Sequence, residues 1–118
     1  MALKNKIKEA RPWGNFIKFT SDESSTVKLI SINAHSALSL QSHQSRDEFW
    51  RIISGEGLIT IGDKKTSAQA GNEFFVPRQT KHRIQTDDSP LVFLEIATGK
   101  FDENDITRFE DIYGRATL

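Results

Sequence analysis

Gln41-Ser42-His43-Gln44-Ser45-Arg46-Asp47-Glu48, running on to Gly55, and Gly71 running through Val76-Pro77 to His82, are the stretches that decide how this chain is read. In a strand, residues two apart share a face, so Gln41 and His43 project together while Ser42 points away. Glu48 follows a connection just long enough to reverse the chain, and Phe49 to Ile53 makes a partner strand. A hairpin is therefore expected to return the carboxylate to the face of Gln41 and His43. His82 follows Pro77 and a short polar loop and opens another strand through Ile84. Two imidazoles and a carboxylate suit zinc, manganese, iron, cobalt or nickel, and a glutamine carbonyl is an acceptable harder fourth ligand, with positions left for water or substrate. Turns alone explain Gly55, Gly71 and Pro77. The joint occurrence of all four donors with those turn residues, in this order and spacing, is what points to a metal site.

The surrounding sequence has an apolar period of two rather than 3.6. Val27 to Ile32, Leu38 and Leu40, Phe49 to Ile53, Leu58 to Ile61, Phe74 to Val76, Ile84, and Leu91 to Ile96 are short runs rich in β-branched and aromatic residues. Turn signals separate them at Ser21 to Ser25, Asn33 to Ser36, Gly55-Glu56-Gly57, Gly62 to Lys64, Ala70 to Asn72 and Asp87 to Pro90. So many strands at such regular spacing predict an all-β antiparallel barrel or sandwich. Only Asp102 to Gly114 departs, with Ile106, Phe109 and Ile112 at three-residue spacing. That spacing predicts a short C-terminal helical segment capped by Asn104 or Asp105.

At 118 residues the chain is sized for one domain spanning 1–118. Sixteen basic residues balance sixteen acidic ones, so no overall field draws it to nucleic acid or an anionic membrane, and a small-molecule partner is expected. Cysteine is absent, which removes disulfides and thiolate ligands and leaves nitrogen and oxygen to hold any metal. Met1 to Glu9 does not read as a signal peptide, and no apolar run approaches the roughly 20 residues that cross a bilayer. A cytoplasmic protein is expected.

These residues resemble the cupin superfamily. Gln41 stands where a first histidine is usual, and Gln-x-His-x-x-x-x-Glu followed two residues later by Trp50 is similar to the mannose-6-phosphate isomerase group. Arg11-Pro12-Trp13-Gly14, Leu38 to His43, Arg46 to Trp50, Ile53-Ser54-Gly55, Val76-Pro77, His82-Arg83 and Asp105 to Arg115 resemble the C-terminal isomerase domain of bifunctional type II mannose-6-phosphate isomerase/mannose-1-phosphate guanylyltransferases, here as a stand-alone domain. The resemblance implies a cupin double-stranded β-helix, a jelly-roll barrel. It implies that Gln41, His43, Glu48 and His82 hold one divalent ion, zinc first, with manganese, iron, cobalt or nickel as alternatives. It also implies interconversion of mannose 6-phosphate and fructose 6-phosphate. The family's histidine run around His43 is here Ser42-His43-Gln44, a histidine after the glutamate is Phe49, and His35 and Gln79 stand where loop glycines are usual.

An aldose-ketose isomerisation needs a base beside the carbonyl and stabilisation of an enediol. Glu95, in a segment resembling the family's Ile-Glu-Val, is the candidate base. A sugar phosphate needs cations that grip phosphate, and Arg46, Arg83, Arg108 and Arg115 fall in matching segments. Two other classes stay open: a cupin oxygenase, because two histidines and a carboxylate also make an iron site, and a non-catalytic sugar-binding cupin. Small cupin barrels commonly pair, so a homodimer is expected, with Leu3 to Ile17 exchanged or packed between subunits.

Overall fold

The computed structural model describes residues 2–116; Met1, Thr117 and Leu118 of the single-domain expectation lie outside the described residues. In chain order the strands are β1 (Ile7–Arg11), β2 (Gly14–Lys18), β3 (Ser25–Ile32), β4 (Leu40–Ser42), β5 (Arg46–Ile61), β6 (Lys64–Gln69), β7 (Glu73–Val76), β8 (His82–Gln85), β9 (Leu91–Gly99) and β10 (Thr107–Glu110). The described residues contain no helix, and hence none long and apolar enough to cross a membrane.

Strand β5 organises the barrel by belonging to two sheets. Its first half pairs antiparallel with β7 and β9, and β3 lies beyond β9. Its second half pairs antiparallel with β6 and β8, and β8 carries β4 and then β10. The two sheets face each other across a core of Trp50, Ile52, Ile59, Ile84, Leu91 and Phe93, each 1% exposed or less. This is the all-β jelly roll that the alternation and the resemblance imply.

Gly55-Glu56-Gly57, expected as a turn, is instead the bend where β5 passes from one sheet to the other. A β-carbon on Gly55, whose φ is +85°, would lie 1.9 Å from the Pro90 carbonyl oxygen. One on Gly57 would lie 2.8 Å from that of Gln85. The glycines are there for close backbone approach as well as for turning. A register shift between Ile52 and Ser54 moves the inward parity by one, so that Glu48, Trp50 and Ile52 face inward before it and Ile59 after it.

Two further expectations are corrected. Strands β4 and β5 do not form a hairpin; residues 43–45 carry the chain from one sheet to the other. The segment from Asp102 to Gly114 is not helical but a turn followed by β10, because Thr107 and Arg108 pair with Ser42 and Gln41. The Asp105 carboxylate, read as a helix cap, accepts the backbone N–H groups of Gln44 and Ser45 instead, at 2.8 and 2.9 Å. His35 and Gln79, the residues standing where the resemblance puts glycine, have φ of +55° and +64°. The backbone keeps the left-handed turn although the residue has changed.

A second apolar cluster lies on the outer face of the β3-β9-β5-β7 sheet. Leu3 and Phe19 cover Phe49, Ile96 and Leu94, and the Lys6 ammonium lies 5.1 Å from the centre of the Phe49 ring and pairs with Glu73. The β1-β2 hairpin forms its own two-stranded sheet and leaves Trp13 74% exposed at its turn.

Candidate metal centre

His43 lies one residue beyond β4, Glu48 is the third residue of β5, and His82 opens β8. Gln41 on β4 pairs directly with His82 on β8, and His82 pairs with Ile61 of β5. The inward phase of each strand then brings the three side chains into the barrel, where His43, Glu48 and His82 are no more than 3% exposed. Their donor atoms lie within 4.8 Å of one another.

The second nitrogen of each ring fixes its tautomer. His43 Nδ1–H donates to the Asp105 carbonyl oxygen at 2.7 Å, and His82 Nδ1–H donates to that of Thr80 at 2.9 Å. Each Nε2 is left with a lone pair directed at the Glu48 carboxylate, 3.2 Å from Oε2 for His43 and 3.8 Å from Oε1 for His82. Two neutral imidazole nitrogens and a carboxylate, each oriented by a backbone carbonyl or by neighbouring donors, make a buried group fit to hold a divalent ion. The Trp50 indole N–H donates to Glu48 Oε1 at 3.0 Å, and its ring meets that of His82 edge-on.

The electrostatics separate the two buried glutamates. Burial opposes ionisation of Glu48, but its polar contacts with His43, His82 and Glu95 outweigh it and hold the carboxyl well below the usual range. Glu95 on β9 lies beside it on the inward phase. Burial and the neighbouring Glu48 charge push Glu95 up to about 8. Burial lowers His82 below its ordinary value, which favours the neutral imidazole that a ligand must be.

These residues line one cavity of about 220 Å³, together with Lys28, Ser39, Gln41, Arg46, Glu103, Ile106, Arg108 and Arg115. Gln41 therefore shares the cavity, its amide nitrogen turned to the Ser39 carbonyl at 3.4 Å. The Ser39 hydroxyl is buried and makes no hydrogen bond among the described residues. The arginines separate. Arg46 is 7% exposed and lies against the ligand set, with Nε donating to Glu48 Oε2 and Nη2 to His43 Nε2, each at 3.1 Å. Arg108 lines the cavity, as does Arg115, whose guanidinium is forked onto Asp111. Arg83 does not line it; its guanidinium donates twice to the Leu38 carbonyl, at 3.2 and 3.1 Å.

Sequence reasoning missed Lys28, Asp105 and Phe101. Lys28 sits between Val27 and Leu29, where alternation reads it as outward, yet β3 turns Lys28 inward beside Glu95 and leaves Val27 and Leu29 57% and 68% exposed. A second histidine-carboxylate group, His35 with Asp87 and Asp88, is exposed on the β3–β4 and β8–β9 loops.

Comparison with known proteins places this geometry in context. The family described as "Mannose-6-phosphate isomerase C-terminal" matches residues 2–111. The xanthan biosynthesis protein XanB of Xanthomonas campestris pv. campestris (strain B100) is 35% identical over 107 residues, covering 89% of this chain and 23% of that protein. The alginate biosynthesis protein AlgA of Pseudomonas fluorescens is 35% identical over 109 residues, covering 91% and 23%. The chain thus spans about a quarter of the length of these relatives. Among solved structures, a cupin protein from Bacteroides fragilis superposes with a TM-score of 0.58 at 23% identity, covering 86% of this chain and 95% of that one, which identifies the fold as a cupin.

Proposed function

The chain belongs to the mannose-6-phosphate isomerase C-terminal family, and from that premise we propose that it is a metal-dependent isomerase interconverting mannose 6-phosphate and fructose 6-phosphate, folded as one domain. The observation that carries the reading is the convergence of His43, Glu48 and His82 in a buried cavity that also presents the Glu95 carboxyl and several cations.

Gln41, His43, Glu48 and His82 are the residues that would hold one divalent ion, zinc first among the metals this donor set accepts. Bound there, the ion supplies Lewis-acid stabilisation of the charge that develops on the sugar oxygens. Glu95 is the residue we assign to proton transfer. In its ionised form it removes the proton from C2 of the open-chain aldose, the hydroxyl proton passes from O2 to O1, and Glu95 returns its proton to C1 to give the ketose. A carboxyl raised to about 8 is basic enough to take that proton and acidic enough to give it back. Lys28, Arg46, Arg108 and Arg115 supply cationic surface for the phosphate. Arg83 we assign to holding the Leu38 backbone beside Ser39 rather than to the phosphate itself.

The test is a coupled assay for fructose 6-phosphate with mannose 6-phosphate as substrate, run with each of zinc, manganese, iron, cobalt and nickel. Turnover that a chelator abolishes and that His43→Ala lacks is expected. Absence of turnover with every ion contradicts the proposal, and tight sugar-phosphate binding without turnover selects the binding-module reading. The proposal extends to a homodimer, supported by exposed Trp13 on the β1-β2 turn and by Val27 and Leu29 on the outer face of β3. Sedimentation at the monomer mass contradicts that part alone.

A further inference from the structure

Arg46 bears a relation to the ligand set that a simple phosphate-binding arginine does not need. His43 Nε2 has one lone pair, because the ring proton is on Nδ1 and is donated to the Asp105 carbonyl. Arg46 Nη2–H donates to that lone pair at 3.1 Å, and Arg46 Nε–H donates to Glu48 Oε2 at 3.1 Å. His43 Nε2 and Glu48 Oε2 are themselves only 3.2 Å apart, a separation that two electron-rich atoms keep only when something electrophilic serves both. The guanidinium is that electrophile here, and a divalent ion would engage the same two atoms.

Resting on the metal-centre reading above, we propose that Arg46 and the divalent ion exclude each other at His43 Nε2, so that metal loading turns Arg46 out of the ligand set and makes its donors available to a phosphate group. An imidazole lone pair serves one partner at a time, which makes the exclusion strict at that atom. The displaced guanidinium keeps two other holds. Its central carbon lies 4.4 Å from the Phe101 ring centre, and Nη1–H donates to the Asp102 carbonyl at 3.2 Å. It therefore stays in the cavity, charged, with the donor that met His43 Nε2 unmet, and an anion is the group that satisfies it. Linkage then requires reciprocity: phosphate tightens metal binding, and metal tightens phosphate binding by the same factor.

The experiment is calorimetric titration of the chelator-stripped full chain with zinc, with and without inorganic phosphate, on the parent protein and on Arg46→Gln and Arg46→Lys. Metal-loaded thermal melts verify that each variant is folded. In the parent, phosphate is expected to tighten zinc about 5-fold or more, the lower range of ordinary coupling. Both variants are expected to bind zinc more tightly than the parent without phosphate, and Arg46→Gln to lose the phosphate effect. Arg46→Lys separates exclusion from charge repulsion because it keeps the charge: zinc affinity unchanged in Arg46→Lys but raised in Arg46→Gln overturns the proposal. Unchanged affinity in both variants, or a phosphate effect that persists in Arg46→Gln, overturns it as well. A parent chain that takes up no zinc, manganese, iron, cobalt or nickel removes the metal-centre reading itself, a result distinct from uptake without coupling.

Discussion

Asp105 reaches the ligand loop at three points. Its carboxylate accepts the N–H groups of Gln44 and Ser45, and its backbone carbonyl accepts His43 Nδ1–H. Those N–H groups hold its carboxyl below the ordinary carboxylate range. Asp105→Ala frees the loop while leaving the backbone carbonyl in place, and we expect it to cost about 1 kcal/mol in urea unfolding and to weaken zinc binding about 10-fold, as loss of an orienting partner does. Trp50→Phe keeps the ring against His82 and Phe93 but removes the N–H that Glu48 Oε1 accepts. A buried carboxylate losing a donor is expected to cost about 1.5–3 kcal/mol, read from the same unfolding curve.

Among the elements, β5 carries both the fold and the site, and its Gly55 is not equivalent to Gly71 on the turn between β6 and β7. A methyl group on Gly55 collides with the Pro90 carbonyl, whereas one on Gly71 meets nothing within 4 Å and suffers only from its φ of +90°. Gly55→Ala is expected to lose about 3 kcal/mol or more and Gly71→Ala about 1 kcal/mol, compared by thermal melts. Strand β7 is tied to the rest by Glu73, which accepts both Lys6 and Arg51. Burial opposes ionisation of Glu73, but those two cations hold its pKa below 4.5. Its stabilising effect is thus fully present above pH 4.5 and is lost as the pH falls through the lowered folded value. Glu73→Gln should lower the melting temperature at pH 7 and leave it unchanged once the pH is below that value. A difference that persists in acid would assign the effect to packing rather than charge.

At the scale of the whole molecule, what was legible in the sequence is the part fixed by period and by donor chemistry. Period two, broken by turn residues, predicts the all-β barrel, and Gln41, His43, Glu48 and His82 do line one cavity. The parts that were not legible depend on which neighbour a segment meets. Gly55 and Gly57 read as a turn because a sequence does not show that Pro90 and Gln85 will press against them. Asp102 to Gly114 reads as helical because its pairing with Leu40–Ser42 is a contact across more than 60 residues. Lys28 reads as outward because alternation names two faces without saying which one is the core.

All of the functional account passes through one buried ion. Metal stoichiometry on the purified full chain, with His43→Ala and His82→Ala alongside, tests it most directly. The account predicts one divalent ion per chain in the parent and none retained in either variant. No ion in the parent, or the same ion content in all three proteins, would contradict it.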